Sequence, residues 1–264
     1  MKIIACVKYS LDVSEMRVDP SSKKIGLDGV PKRLGEIDKV VLEEAARLKE
    51  ENDGSLFLLT YGPDNTKDGL KEAMAMAVDE AVVVVNPFED TLSTRSTVEV
   101  LAKAIEKIGD VDVIVCGETS DDGYSFQVGP MLAERLNMPQ VTYAKNLKID
   151  ADHLIADRDL EECMETVKAS LPAVVTVTEL SNEPRRPTML DALKAKKKKI
   201  DLWQTEADLG ISNAQLEELS PLRATDIEGI EVKRKQVLIN GKNAGEAIKE
   251  LMNYLAEENV MGGQ

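Results

Sequence analysis

The feature that most constrains this chain is an alternation of short apolar runs with amphipathic stretches of helical length, sustained from the start to past residue 136. Residues 2–8 read as a buried strand, and 36–49 as a helix with Ile37, Val41, Ala45 and Leu48 on one face. A second strand over 55–61 ends in Gly62-Pro63-Asp64, where Asp64 or Asn65 is placed to cap a helix burying Leu70, Ala73, Met74 and Ala77. Residues 81–85 form a third strand. The spacing then predicts a helix over 94–108, with Val98, Leu101, Ala102 and Ile105 inward and Gly109 as its stop. A fourth strand over 111–116, a polar loop and a helix over 126–136 complete the run. Strands alternating with helices of this length imply an α/β class with a parallel sheet and right-handed crossovers. Ligands of such sheets bind beyond the carboxyl ends of the strands, here after Cys6, Tyr61, Val85 and Cys116.

The pattern then changes. Residues 143–149, 153–159 and 165–169 read as an antiparallel addition, and 173–178 as a return to the core. The segment from 201 is polar apart from a helix over 243–255, and is expected to be an arm and not a second core. The expected division is a nucleotide-binding domain over 1–195 and a C-terminal arm over 196–264.

Charge narrows the function. The 264 residues carry 33 Lys and Arg against 48 Asp and Glu, a net −15, and only 3% are aromatic. An acidic chain this poor in stacking side chains is not built to hold nucleic acid. The three cysteines form no CxxC pair, and the one histidine, His153, sits in the polar turn Ile149-Asp150-Ala151-Asp152-His153. A His-rich metal site and a His-dependent triad are therefore not expected, and neither metal nor catalytic side chain is assigned. The first apolar run is too short for a signal peptide, and nothing approaches the ~20 apolar residues of a membrane span. A soluble protein of a reducing cytoplasm is expected. Against the net charge, Lys196 to Lys199 form a basic patch suited to an acidic partner.

Two loops carry the strongest local signals. Gly117-Glu118-Thr119-Ser120-Asp121-Asp122-Gly123-Tyr124-Ser125-Phe126-Gln127-Val128-Gly129-Pro130 joins a strand to a helix. Small and hydroxyl residues there turn backbone N–H groups outward, and the helix N-terminus favours an anion. It is neither a Walker loop nor a GxGxxG fingerprint. Asp121 and Asp122 suit a helix cap or a hydrogen bond to a ribose or base better than a metal. Asp90-Thr91-Leu92-Ser93-Thr94 opens the next helix, with Ser93 or Thr94 as its cap.

Further along, Ala156-Asp157-Arg158-Asp159-Leu160-Glu161-Glu162-Cys163-Met164-Glu165-Thr166-Val167, continuing to Leu171-Pro172-Ala173-Val174-Val175-Thr176, resembles the signature of the electron-transfer flavoprotein β subunit. Asn182-Glu183-Pro184-Arg185 and Lys194-Ala195-Lys196-Lys197 resemble the segment that follows it in that family, and the likeness spans nearly the whole chain. Cys163 departs from the family's usual Gly or acidic residue.

The resemblance implies a Rossmann-like nucleotide-binding domain paired with an α subunit that holds FAD. It implies nucleotide contacts at Cys6, at Asp38, at Tyr61 and in the long loop at Gly117, Thr119, Asp122, Gly123, Tyr124, Ser125, Gln127, Val128 and Gly129. The β-subunit ligand is AMP in ordinary carriers and a second FAD in electron-bifurcating members. Asp122-Gly123, Gln127-Val128-Gly129-Pro130 and the motif Asp90, Thr91, Leu92, Ser93, Thr94 are similar to the bifurcating type, while Tyr124 departs from both types. FAD is favoured over AMP on this motif correspondence; in keeping with it, hydroxyls at Thr91, Ser93 and Thr94 suit the polar edge of a flavin, and AMP would leave that loop idle. What this implies is oxidation of NADH, with one electron going to ferredoxin or flavodoxin. The other passes through the α-subunit FAD to an acyl-CoA or hydroxyacid dehydrogenase. Glu183, Pro184, Arg185, Met189 and Leu190 resemble the loop that anchors that dehydrogenase, with Thr188 as a helix cap.

Overall fold

In the computed structural model, which describes residues 1–88, 93–222, 227–230, 234–258 and 260, the described residues form one nine-stranded sheet besides two short two-stranded ladders. Its strands are β1 (Lys2–Cys6), β2 (Ser55–Gly62), β3 (Glu80–Val85), β4 (Val113–Gly117), β5 (Gln140–Asp150), β6 (His153–Leu160), β7 (Cys163–Ser170), β8 (Ala173–Val177) and β9 (Ile200–Gln204). Their order across the sheet is β7-β6-β5-β8-β4-β1-β2-β3-β9. Every neighbouring pair from β5 to β9 is parallel, and β6 and β7 add on antiparallel.

Helices cover both faces, so the central strands are apolar on both sides. Along β1, Ile3 and Ala5 join one core cluster while Ile4 and Cys6 join the other, the period-2 alternation of a strand. The first cluster takes α1 (Glu36–Glu51) and the short helix α3 (Lys71–Ala75), which follows α2 (Thr66–Gly69). The second takes α4 (Thr94–Ile108) and α5 (Val128–Leu136). In α4, Val98, Leu101, Ala102 and Ile105 are buried as their spacing predicts, and Gly109 ends it with φ +67. The single helix predicted after Asn65 is instead broken into α2 and α3. Gly69 lies where a Cβ would come within 2.1 Å of the Tyr9 ring, and Ala77 turns left-handed with φ +63.

Several boundaries move. The helix expected from 126 starts at Val128. The strand expected over 143–149 runs from Gln140 to Asp150 and pairs parallel with β8 on one side and antiparallel with β6 on the other. His153 does follow a turn, at the start of β6. The sheet does not stop at residue 195. β9 lies in register with β3 from Ile200↔Ala81 to Gln204↔Val85, and α7 (Thr205–Leu209) and α8 (Asn213–Glu218) follow. Ile200, Leu202 and Trp203, in a five-residue segment next to a lysine run, are too short a pattern for sequence periodicity to flag an edge strand. Between β8 and β9 lies α6 (Met189–Ala195), capped by Thr188 in a reciprocal capping box with Asp191.

The chain divides into two compact units, Met1–Arg17 with Ile25–Ile227, and Val18–Lys24 with Glu228–Gln264. Within the second, Lys24 and Glu228 form a β-bridge and the Gly229 N–H donates to Lys23 O at 2.8 Å. Asn243 caps α9 (Ala244–Glu257), accepting from the Glu246 N–H at 3.0 Å.

Candidate functional site

From β1 the chain moves to β2 and β3 on one side, then crosses back to β4 on the other. The adjacent ends of β1 and β4 are thus a topological switch point, where a crevice opens in doubly wound sheets. A cavity of about 330 Å³ lies there. Its floor is Cys6, Val7 and Cys116, and its walls come from Asp38 on α1, Tyr61 at the end of β2, and Thr94, Thr97 and Leu101 on α4. Gly117 to Ser120, Asp122, Gly123, Ser125, Gln127 and Val128 complete it from the loop between β4 and α5.

Charge pairing holds that loop in place. Lys8 Nζ lies 2.8 Å from Asp122 Oδ1, which also accepts from the Ser120 hydroxyl at 3.0 Å. Asp121 Oδ2 accepts the Glu36 N–H at 3.0 Å, so the loop caps α1 where Gly35 has no side chain to do so. A Cβ at Gly35 would stand 2.5 Å from Asp38 Oδ2 and 3.0 Å from Asp121 Oδ2, so any larger residue would have to push these two carboxylates aside.

Asp38 is 4% exposed. Its Oδ1 accepts the Lys8 N–H at 2.8 Å, while Oδ2 is buried without a partner. Burial pushes its carboxyl up to about 7 against the Lys8 N–H, with Asp121 and Asp122 adding to the rise. The Thr119 hydroxyl is likewise buried and unpaired. At the opening, α5 starts at Val128 with no side-chain cap for its first turn, in which Pro130 has no N–H to satisfy, and a helix start of this kind suits an anion. A Cβ at Gly129 would meet Thr176 Cγ2 at 2.1 Å, so glycine lets α5 start hard against β8. Cys6 and Cys116 stand in register on neighbouring strands. The hydrogen bond to Cys116 and then burial raise the Cys6 thiol well above its usual value, which makes it a packing group and not a nucleophile. The Tyr61 hydroxyl donates to Asn86 Oδ1 at 3.3 Å, and burial raises its pKa.

Most of the residues expected at a nucleotide site meet here: Cys6, Asp38, Tyr61, Thr94, Gly117, Thr119, Asp122, Gly123, Ser125, Gln127 and Val128. Asp90, Thr91 and Leu92 lie outside the described residues. Ser93 is turned away: its hydroxyl donates to Leu219 O at 2.7 Å and caps α4 through the Ser96 N–H. Tyr124 is exposed, edge-on to Phe126 at 5.2 Å, and Gly129 packs on the sheet and not on the cavity. Sequence reasoning missed Val7, Lys8, Thr97, Leu101, Cys116, Glu118 and Ser120. Thr97 was within reach, because it is one helical turn from Thr94 and so shares its face.

The expected docking segment divides in two. Asn182 and Arg185 are tied to α1, Asn182 Nδ2 donating to Glu44 Oε2 at 2.9 Å and Arg185 pairing with Glu43 at 2.7 Å and Glu50 at 2.5 Å. Met189 and Leu190 are 86% and 67% exposed, Glu183 is exposed and Pro184 half-buried. Among the described residues no group of three or more His, Cys, Asp or Glu is placed to hold a metal. Nor is any helix long and apolar enough to cross a membrane.

The cavity offers an uncapped helix N-terminus for an anion, two buried unpaired oxygens for donors and hydroxyls, and an apolar floor for a ring, which is the equipment of a nucleotide site. Comparison with known proteins identifies the family. Residues 25–208 match the electron transfer flavoprotein domain. The electron transfer flavoprotein subunit beta of Thermoanaerobacterium thermosaccharolyticum is 33% identical over 262 residues, 99% of this chain and 100% of that protein. The caffeyl-CoA reductase-Etf complex subunit CarD of Acetobacterium woodii is 31% identical over 263 residues, again 99% and 100%. Protein FixA of Azorhizobium caulinodans is 32% identical over 220 residues, 81% of this chain and 78% of that protein. With that coverage and a sheet whose switch point carries the pocket, the chain belongs to the electron transfer flavoprotein family, as a β subunit.

Proposed function

We propose that the switch-point pocket holds FAD and that the chain is the β subunit of an electron-bifurcating heterodimer. The observation that carries this is the placement of Thr94 and Thr97 on the same cavity as Cys6 and the Gly117–Val128 loop. A ligand confined to the loop and the strand ends would not call on the first turns of α4, whereas a flavin extends that far and needs hydroxyls at its polar edge. The chemistry supplied by the bound group is oxidation of NADH with its two electrons divided between ferredoxin or flavodoxin and, by way of the α-subunit FAD, a dehydrogenase.

This chain's residues bind and orient. The α5 N-terminus, with Gln127 and Val128, takes the phosphates, Lys8 and Asp122 hold the loop closed on them, and Val7 and Leu101 keep water from the ring. The Acetobacterium woodii relative is named for a caffeyl-CoA reductase complex, which supports an acyl-CoA-type partner. That partner docks on Met189 and Leu190 of α6, and the C-terminal arm packs on the α subunit. The location is cytoplasmic.

A second reading, structural AMP, is favoured by size, since about 330 Å³ is near the lower end of the range for ligand pockets. Cofactor extraction from the purified heterodimer separates the two. Two FAD per pair, together with NADH-dependent ferredoxin reduction, is the expected result. One FAD with one AMP overturns it.

A further inference from the structure

Asp38 is a buried charge-bearing group that the fold leaves half satisfied. One carboxyl oxygen is bonded to the Lys8 N–H, and the other is sealed from water with no protein partner, on the wall of a cavity. Leaving such an oxygen bare is costly, and more so for a charged group than for a neutral one, which on a cavity wall points to a donor supplied by what the cavity binds. We infer that Asp38 changes charge as the pocket loads: its side chain turns so that an N–H or O–H of the nucleotide takes Oδ2, and the carboxyl proton leaves to solvent.

The inference rests on the nucleotide reading above and adds a proton to it. The surroundings fix its direction. From the end of β1, Lys8 gives Asp38 a backbone N–H, and its ammonium, though paired with Asp122, also acts to lower the Asp38 carboxyl, against the larger effect of burial. From the loop, the carboxylates of Asp121 and Asp122 face Asp38 and oppose a further negative charge. From α1 and the residues before it, Glu36 is paired with Arg33 at 2.5 Å, and Arg33 reaches Asp121 only at 4.0 Å. The neighbouring floor thiol, Cys6, is neutral. The empty pocket therefore favours the acid form, in keeping with a carboxyl raised to about 7. A donor at Oδ2 supplies the hydrogen bond that the carboxylate lacks and favours ionisation. The step balances: carboxylic acid plus ligand donor gives carboxylate hydrogen-bonded to that donor, plus one proton released.

Calorimetric titration of the nucleotide-stripped αβ complex with FAD, in buffers of different ionisation enthalpy, counts that proton. FAD is the main probe because the phosphomonoester of AMP itself titrates at about 6. The expected result is most of one proton released per FAD bound at the β-subunit site at about pH 6, falling toward none by about pH 8.5, where the carboxyl is already ionised. In Asp38→Asn the release is lost. A difference infrared spectrum of the unmutated complex gives a readout free of any folding defect, because the neutral-acid carbonyl band should vanish on saturation. Saturable FAD binding without proton release, with proton uptake, or with the same release in Asp38→Asn overturns the inference and leaves the pocket reading intact. If AMP binds and FAD does not, the FAD reading falls. The proton count is then the difference between unmutated and Asp38→Asn complexes with AMP, and a zero difference overturns the inference. Binding of neither nucleotide overturns both.

Discussion

Helices α4 and α9 are made of the same materials and end in different places. Each is amphipathic, each starts on a side-chain cap, Ser93 in one and Asn243 in the other, and each has aliphatic residues at helical spacing. Yet α4 buries Val98, Val100, Leu101, Ala102, Ala104 and Ile105, while α9 buries none and exposes Ile248, Leu251, Met252 and Tyr254. Periodicity therefore tells which face is apolar, not what covers it. In α4 the cover is this chain's own sheet. For α9, on the reading proposed above, it is the α subunit.

The largest expected effect breaks that symmetry outright. Leu101→Ala removes a buried side chain from a close-packed cluster and should destabilise the chain by about 2–5 kcal/mol in urea unfolding. Leu251→Ala, chemically the same change, should leave the isolated chain within about 0.5 kcal/mol of the unmutated protein. It should instead weaken binding to the α subunit roughly tenfold or more, read by sedimentation. Equal unfolding losses for the two variants would mean that the two faces are covered alike.

The same contrast of held and unheld runs through the segment from Asn182 to α6, and a smaller effect sharpens it. Arg185 is fastened to Glu43 and Glu50 on α1. Burial alone would raise the Glu43 carboxyl, but the hydrogen bonds from Arg185 outweigh it and hold it below its usual value. Arg185→Ala should cost about 1–3 kcal/mol at pH 7, because the buried Glu43 loses the guanidinium and keeps only Arg47 and the backbone N–H of position 185. A carboxylate depressed in the folded state stabilises above its unfolded pKa of about 4.3 and loses that contribution as pH falls through the folded value. The gap between unmutated and variant unfolding curves should therefore close in acid. Met189→Ala, at an exposed site a few residues on, should leave both curves unmoved.

The parallel sheet was legible because period and punctuation agreed: α4 lies where it was predicted, from Thr94 to its stop at Gly109, and three of the four strand ends flagged for ligands, Cys6, Tyr61 and Cys116, line the cavity, while Val85 does not. What was not legible depended on distant partners. β9 is recognisable only beside β3, and Asp121 shows itself as a cap for α1 only once Gly35 stands next to it. Lys8 follows a flagged strand end, yet nothing local distinguishes it from a solvated lysine. Ser93 failed in the opposite sense: a hydroxyl in a motif suited to a ligand is occupied by Leu219 and Ser220, more than a hundred residues away.

The smallest effect tests the caps. Ser93→Ala removes both the α4 cap and the tie to Leu219, and should cost roughly 1–2 kcal/mol in global unfolding, at the upper end for a cap. Asn243→Ala removes a comparable cap, but the turn it holds buries nothing. Its loss should appear as fraying of the first turn of α9, seen in amide exchange at Glu246, with global unfolding shifted by less than about 0.5 kcal/mol. Binding the α subunit should then restore that protection, because an apolar face packed on a partner contributes far more to a helix than its cap does. If exchange at Glu246 stays fast in the heterodimer, the face of α9 is covered by something else.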